Sequence, residues 1–178
     1  MSQLLPLQAA RQIFQMCLVV PDVHQASVHW SQLLQRPAAP VEVIFPTNGI
    51  LHHTHGQTAS YTDCQVAKYD LGALVLELMQ PGPGPSPWRD FLDRNGSGVF
   101  HLCLKVDDRV AVQQDLTRIG VDLPYHVGYC PGGSYSYVDS RAQLGLELSL
   151  NHDADMAALM QAVSRGEHTP GDEWKSEA

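Results

Sequence analysis

The sequence predicts an α+β protein built from two copies of one module, each running strand, helix and three further strands. The first observation is that two strand-like stretches, residues 14–20 and 99–106, each lead into an aspartate suited to cap a helix. The second is that each is followed by an amphipathic stretch and three more strand-like stretches. We therefore expect two βαβββ modules that together form a half-open, barrel-like cup.

The first module is expected over residues 12–80. Asp22 is its predicted helix cap, and the apolar positions that follow, from Val23 to Leu34, lie on one stripe of a helix. The loop at 46–60 makes this module the longer one and contains His52, His53 and His55, which we expect at the mouth of the cup or in a lid. Its later strands are predicted at 41–45, 61–69 and 71–80.

A linker with one short helix is expected over residues 81–97. Ser86 is suited to cap this helix, Pro87 to its first position, and Gly96 to the residue just past its end. The second module follows at 98–150, with a helix over 108–120 and strands at 122–129, 134–138 and 144–150. A C-terminal helix at 151–165 and a flexible tail at 166–178 complete the prediction.

Composition narrows the class of protein. The 178 residues carry a formal net charge of -8, which disfavours nucleic acid and anionic membrane surfaces as partners. The chain contains no apolar run near bilayer length, and its first residues do not resemble a signal peptide, so we expect a cytoplasmic protein. The four cysteines show no CxxC spacing, which predicts buried, reduced thiols, with Cys17 and Cys103 acting as small apolar residues.

Four polar residues interrupt otherwise apolar strands at corresponding positions of the two modules. A lone carboxylate in such a strand costs several kcal/mol unless it is paired or binds a cation. If the modules face each other, the four side chains converge, and one imidazole, two carboxylates and one amide suit a divalent ion such as Zn, Ni, Co, Mn or Fe. These residues are Gln15, Glu77, His101 and Glu147.

At these positions the chain resembles the vicinal oxygen chelate superfamily, which includes glyoxalase I, methylmalonyl-CoA epimerase, extradiol dioxygenases and bleomycin-resistance proteins. The similarity spans about residues 12–150, and its local pattern is most like that of methylmalonyl-CoA epimerase. That pattern is found here as Glu77–Pro81, Ser86-Pro87, Phe91-Leu92 and Asn95–His101. The resemblance implies the glyoxalase/bleomycin resistance fold, with a metal in the cleft shared by both modules.

The resemblance also implies a ligand set. The metal ligands of the superfamily fall on Gln15, Glu77, His101 and Glu147. Epimerases usually have His and then Gln at the first two positions, so this set is more similar to that of zinc-using glyoxalase I.

The chemistry that the resemblance implies is removal of a proton next to a carbonyl, with the enediolate stabilised by the metal. Glu147 is then the expected base and Glu77 its partner. The substrate would be a small acyl or carbonyl compound, whether a CoA ester, a glutathione adduct or another, and we expect a homodimer. The alternatives are a non-catalytic small-molecule-binding protein on the same fold and an iron-dependent extradiol dioxygenase. Tyr129, Tyr135, Tyr137 and Trp88 are expected to pack within the sheet or to line a substrate site.

Overall fold

Ten strands form one mixed sheet in the computed structural model, which describes residues 11–44, 51–130, 133–153 and 156–174. The sheet order is β2-β5-β6-β1-β7-β10-β9-β8-β3-β4, so β2 and β4 are its two edges and the sheet is not closed. The strands are β1 Ile13–Val19, β2 Val41–Val43, β3 Leu51–Thr54, β4 Gln57–Ala59, β5 Gln65–Asp70, β6 Val75–Gln80, β7 Gly98–Lys105, β8 His126–Cys130, β9 Gly133–Val138 and β10 Glu147–Asp153.

The two modules pair through their first strands, within one chain. β1 and β7 are antiparallel neighbours at the centre of the sheet. Each is flanked on its other side by the last strand of its own module in parallel orientation, β6 beside β1 and β10 beside β7. The predicted fold class, α+β with paired βαβββ modules forming a half-open cup, is confirmed.

The helices begin where the sequence places their caps. The Asp22, Ser86 and Asp108 side chains each accept a hydrogen bond from a backbone N–H in the first turn of the helix that follows. In the described part of the chain, no helix is both long enough and apolar enough to span a bilayer. The helices are α1 Val23–Leu34, α2 Pro87–Asn95, α3 Arg109–Arg118, α4 Arg141–Leu144 and α5 Met156–Ser164.

Apolar clusters cover both faces of the sheet, one inside the cup and one for each module on the outer face. Leu76 and Leu78 of β6 pack with α1 on the outer face, in a cluster that includes Val23. Met79, one residue further along, joins Cys17 of β1 and Trp88 of α2 in a cluster on the opposite, inner face. This alternation is that of strands buried on both sides, and it directs the odd-numbered residues of β6 into the cup.

The predicted loop of the first module contains a hairpin, β3–β4, that crosses to the second module. β3 pairs with β8, which is the second-module strand farthest from the centre of the sheet. His52 therefore lies opposite Gly128, and Thr54 lies opposite His126. The hairpin therefore extends the sheet at the mouth of the cup. Residues 46–50 of the predicted loop, and residue 45 at the end of the predicted strand 41–45, lie outside the described residues.

The predicted flexible tail needs correction over residues 166–174. A short 3₁₀ helix, Asp172–Trp174, places the Trp174 ring in the outer cluster of the second module, where 1% of the residue is exposed. The Trp174 Nε1–H donates to the Ser136 hydroxyl at 2.9 Å, and the Tyr129 hydroxyl donates to the Glu173 carboxylate at 2.8 Å. Polar composition predicted fraying, but one large aromatic side chain anchors the segment. Residues 175–178 lie outside the described residues.

Candidate metal centre and cavity

Four side chains form a row across the four central strands. Cys17 of β1 pairs with Glu77 of β6 on one side and with His101 of β7 on the other. His101 in turn pairs with Glu147 of β10. Residues level with one another on neighbouring strands point to the same face, so the row Glu77, Cys17, His101, Glu147 lines the inside of the cup.

Three members of this row lie close enough to share one ion. One donor atom from each of Cys17, Glu77 and His101 lies within 4.8 Å of the other two. All three residues are buried, with 0% of Cys17, 8% of Glu77 and 3% of His101 exposed. A buried sulfur, oxygen and nitrogen in one place form a potential metal centre.

Gln15 lies on β1 but outside the row of Glu77, Cys17, His101 and Glu147. It lies two residues before Cys17 on the same face, opposite Val75 on β6 and Cys103 on β7. The register thus puts Cys17, rather than Gln15, beside Glu77 and His101. The β1–β7 pairing also shifts register between Ile13 and Gln15 and again between Cys17 and Leu18.

Burial governs the charge of the cluster. It is the main cause that raises the pKa of the Cys17 thiol well above its usual range, and the Glu77 carboxylate, which is hydrogen-bonded to that thiol, raises it further. Burial lowers the pKa of His101 to about 3, which leaves the imidazole neutral at neutral pH. The Lys68 ammonium lies 3.2 Å from the Glu77 carboxylate and partly balances its charge.

Glu147, the fourth member of the row, is held by two groups that the sequence did not single out. The Tyr125 hydroxyl donates a hydrogen bond to its carboxylate, and the nearest Arg141 nitrogen lies 3.8 Å from it. Burial raises the pKa of Glu147, while the Tyr125 hydrogen bond and the Arg141 charge oppose that rise. The result is a carboxylate in a partly desolvated site that still has hydrogen-bonding support.

A cavity of about 670 Å³ opens beside Glu147. Its wall is formed by the β3–β4 hairpin from Thr54 to Ala59, by helix α2, and by Tyr125 and Arg141. Among the described residues that line it, Glu147 is the member of the row that reaches the cavity. Glu147 therefore connects the buried cluster with a space large enough for a small molecule.

Aromatic side chains fill the rest of the cup. The Tyr137 ring lies 5.0 Å from the His101 ring and 4.7 Å from the His126 ring, both measured between centroids. Tyr135 packs over Gly128, where a Cβ atom would lie 2.3 Å from the Tyr135 ring. Tyr135 and Tyr137 pack inside the cup, Trp88 of α2 packs in the same inner cluster, and Tyr129 packs in the outer cluster of the second module. None of these four is among the described residues that line the cavity.

The histidine-rich loop divides between core and cavity. His52 is 4% exposed and lies in the cup, with its ring 5.0 Å from the Tyr61 ring. His55, at the hairpin turn, stacks on Tyr125 at 5.3 Å and lines the cavity. The hairpin tip thus lies over the cavity mouth, where the sequence predicted this loop.

The buried histidines His52 and His126, like His101, make the stability of the fold depend on pH. Burial lowers the pKa of His52 to about 4 and that of His126 well below its usual value. Their pKa values in the unfolded chain are near 6.5, so the unfolded state binds more protons below that pH, and folding stability falls as pH drops from about 6.5 to 4. Each histidine contributes at most about 1.4 kcal/mol per pH unit.

The measurement is urea unfolding at several pH values between 7 and 4.5. We expect His52→Gln to flatten the loss of stability toward acid, whereas His24→Gln, at an exposed position of α1, serves as the matched control and keeps the wild-type slope. An unchanged slope in His52→Gln would contradict the prediction.

Known proteins support the fold. The family profile described as Glyoxalase/Bleomycin resistance protein/Dioxygenase superfamily matches residues 14–136. The structure of a hypothetical protein from Bacillus halodurans superposes with a TM-score of 0.55 at 16% identity, covering 82% of this chain and 96% of that chain. Methylmalonyl-CoA epimerase from Mycobacterium tuberculosis superposes with a TM-score of 0.54 at 17% identity, covering 88% of this chain and 97% of that chain.

A methylmalonyl-CoA epimerase in complex with methylmalonyl-CoA and NH4+ superposes with a TM-score of 0.53 at 18% identity, covering 83% of this chain and 97% of that chain. At these identities the superpositions establish a shared fold. A comparison with curated proteins found no match. Since the family profile spans more than half of its length, this chain belongs to the Glyoxalase/Bleomycin resistance protein/Dioxygenase superfamily.

Proposed function

We propose that this protein is a metal-dependent isomerase, epimerase or lyase that moves a proton on a carbon next to the carbonyl group of a small acyl or carbonyl compound. The observation that carries the proposal is the row across the central strands. Its buried donors, Cys17, Glu77 and His101, lie within 4.8 Å of one another, and its fourth member, Glu147, lines the cavity.

The donor set fits a divalent transition metal. Thiolate and imidazole ligands favour zinc, cobalt, nickel or iron over magnesium and calcium. Among the described residues, the buried His101 Nδ1 has no hydrogen-bond partner, which is consistent with a nitrogen available to an ion. We propose Cys17, Glu77 and His101 as the ligands, with Gln15 and Glu147 as the further candidates. When bound, the ion would supply Lewis-acid stabilisation of the negative charge that develops on a substrate oxygen.

Glu147 is the proposed base. It faces the cavity, and burial raises the pKa of its carboxyl group, so it binds a proton more readily than an exposed glutamate does. The Tyr125 hydroxyl orients the carboxylate. Glu77 also remains a candidate for proton transfer, but its place in the buried cluster, next to Cys17, suits a ligand better.

The test compares metal content and cobalt spectra of the wild type with those of variants. We expect about one ion per chain after loading with zinc or cobalt, as is usual for a site with three protein ligands. Cys17→Ala is expected to abolish the near-ultraviolet sulfur-to-cobalt band and His101→Ala to abolish binding. Cys130→Ala, a cysteine of the second module that lies outside the cluster, is the matched control.

Gln15→Ala separates the two candidates on β1. If Cys17 is the ligand, Gln15→Ala retains both the ion and the sulfur-to-cobalt band; if the Gln15 side chain binds the ion, Gln15→Ala loses metal while Cys17→Ala retains it. No metal in the wild type, after zinc, nickel, cobalt, manganese and iron have each been offered, would overturn the proposal.

A second function is favoured by one observation. The Lys68 ammonium already lies 3.2 Å from the Glu77 carboxylate, so the cluster has a counter-charge of its own. A small-molecule-binding protein without catalytic activity would need no metal ion to balance the charge of Glu77. Ligand binding in the cavity without metal and without exchange of protons next to a carbonyl would favour this second function.

A further inference from the structure

We propose that the cavity contains a carboxylate-binding subsite built on Arg141, so that the natural ligand is a small acyl or carbonyl compound with a carboxylate of its own. The inference narrows the substrate class of the proposed function and in that respect rests on it. The subsite itself consists of protein groups alone, so its binding can be measured apart from any reaction.

The Arg141 side chain is held in place by an aromatic ring, but its hydrogen-bonding groups are not all paired. Its guanidinium carbon lies 5.1 Å from the centre of the Phe91 ring, which holds the planar group against the wall of the cavity. Its Nη2 atom is buried and has no hydrogen-bond partner among the described residues. The nearest Glu147 oxygen is 3.8 Å away, too far for a hydrogen bond.

The rest of the guanidinium is not enclosed, because the Arg141 side chain is 37% exposed and lines the cavity, so its other N–H groups can donate to a ligand oxygen. Guanidinium groups bind carboxylates through two parallel hydrogen bonds, which fixes the orientation of the ligand as well as its charge. Arg141 lines the cavity, so a carboxylate in that space can reach it. The structure thus offers an anion a partner that the folded chain does not fully supply.

The other charges around the cavity are consistent with this placement. Arg94 also lines the wall, and its Nε–H donates to the backbone carbonyl of Asp90 rather than to a carboxylate. Two carboxylates, Asp90 and Asp139, lie on the wall as well, both at exposed positions where water screens them. The carboxylate of a ligand is therefore favoured at the half-buried Arg141 end of the cavity.

The position of Arg141 also suits the proposed chemistry. The Arg141 guanidinium and the proposed base, Glu147, are 3.8 Å apart. A ligand whose carboxylate binds Arg141 therefore has its neighbouring carbon atoms beside the base. The positive charge of Arg141 also offsets the repulsion between a negatively charged ligand and the Glu147 carboxylate.

The test measures binding of 4-oxopentanoate and of its uncharged amide, 4-oxopentanamide, by calorimetry or saturation-transfer NMR. In both probes two methylene groups separate the ketone from the terminal group, so the acid does not form a compact chelate with a metal. We expect the acid to bind about tenfold more tightly than the amide, because hydrogen bonds between charged groups are stronger than neutral ones. The preference should persist after metal is removed with EDTA.

Arg141→Gln is expected to abolish the preference for the acid, and Arg141→Lys to retain part of it because the charge is kept. Arg165→Gln, at an exposed arginine paired with Glu167, is the matched control and should leave the preference unchanged. Thermal unfolding of each variant checks that it folds.

Equal binding of acid and amide, failure of both probes to bind, or an unchanged preference in Arg141→Gln would overturn the subsite. These outcomes can be told apart from failure of the proposed function. The protein could prefer the acid through Arg141 and yet neither retain metal nor exchange protons. That result would support the subsite and contradict the proposed reaction.

Discussion

Glu147→Gln is expected to lower the rate of proton exchange next to a substrate carbonyl by about 10²- to 10⁴-fold, the usual contribution of a positioned acid or base. Glutamine has nearly the same shape and can still accept the hydrogen bond that the Tyr125 hydroxyl donates. It cannot take up a proton at neutral pH. The substitution therefore removes the proposed base while keeping the wall of the cavity.

The measurement is deuterium incorporation in heavy water, followed by NMR, on a short acyl or carbonyl compound that the wild type exchanges. Glu42→Gln, at an exposed position of strand β2, is the matched control and should keep the wild-type rate. Metal content is measured in parallel, because Glu147 is also a candidate ligand. A loss of less than about threefold with metal retained would show that another group moves the proton, since an essential base contributes far more.

The second large effect concerns stability rather than activity. Trp174→Ala is expected to lower the free energy of unfolding by about 3–5 kcal/mol, the usual cost of truncating a buried aromatic side chain. The Trp174 ring lies in the apolar cluster that contains Val127, Val138 and Leu150, and its Nε1–H donates to the Ser136 hydroxyl. The substitution also removes the ring beneath the Arg109 guanidinium, 5.6 Å from its centre.

Urea unfolding at pH 7 measures this loss. Trp30→Ala is the matched control, because Trp30 is only half-buried on helix α1, and we expect it to cost less. If residues 166–174 were frayed in solution, Trp174→Ala would change the free energy of unfolding by less than about 0.5 kcal/mol, as substitutions at exposed positions do.

Local patterns predicted most elements of this fold but missed helix α4 and the 3₁₀ helix at Asp172–Trp174. Helix caps are read from short-range chemistry, so Asp22 and Ser86 were recognisable as residues that start a helix, as was an aspartate after the first strand of the second module, which the structure shows to be Asp108. Strand alternation likewise predicted which face of β7 carries His101. Glu77 and Glu147 stood out because an ionisable side chain within an apolar strand needs a partner.

Local patterns could not predict which residues of the neighbouring strands lie beside each residue of β1. Gln15 and Cys17 point to the same face, so periodicity cannot distinguish them, and a thiol in an apolar strand has the pattern of a core residue. Pairing with β6 and β7, including the shifts in register, puts Cys17 beside Glu77 and His101. Cys17 and Cys103 recur two residues after Gln15 and His101, which was the available sign that the strand had a second polar candidate.

What the sequence by itself determined is the order of strands and helices in two modules, apart from α4 and the 3₁₀ helix, and the polar residues Glu77, His101 and Glu147 on the inner face. The tertiary structure decided which β1 residue joins them, how Tyr125 and Arg141 come to surround Glu147, and where Trp174 docks. The physical reason is the range of the interactions. Caps and periodicity depend on residues a few positions apart, whereas register, cavity walls and the docking of a segment depend on contacts between residues distant in the chain.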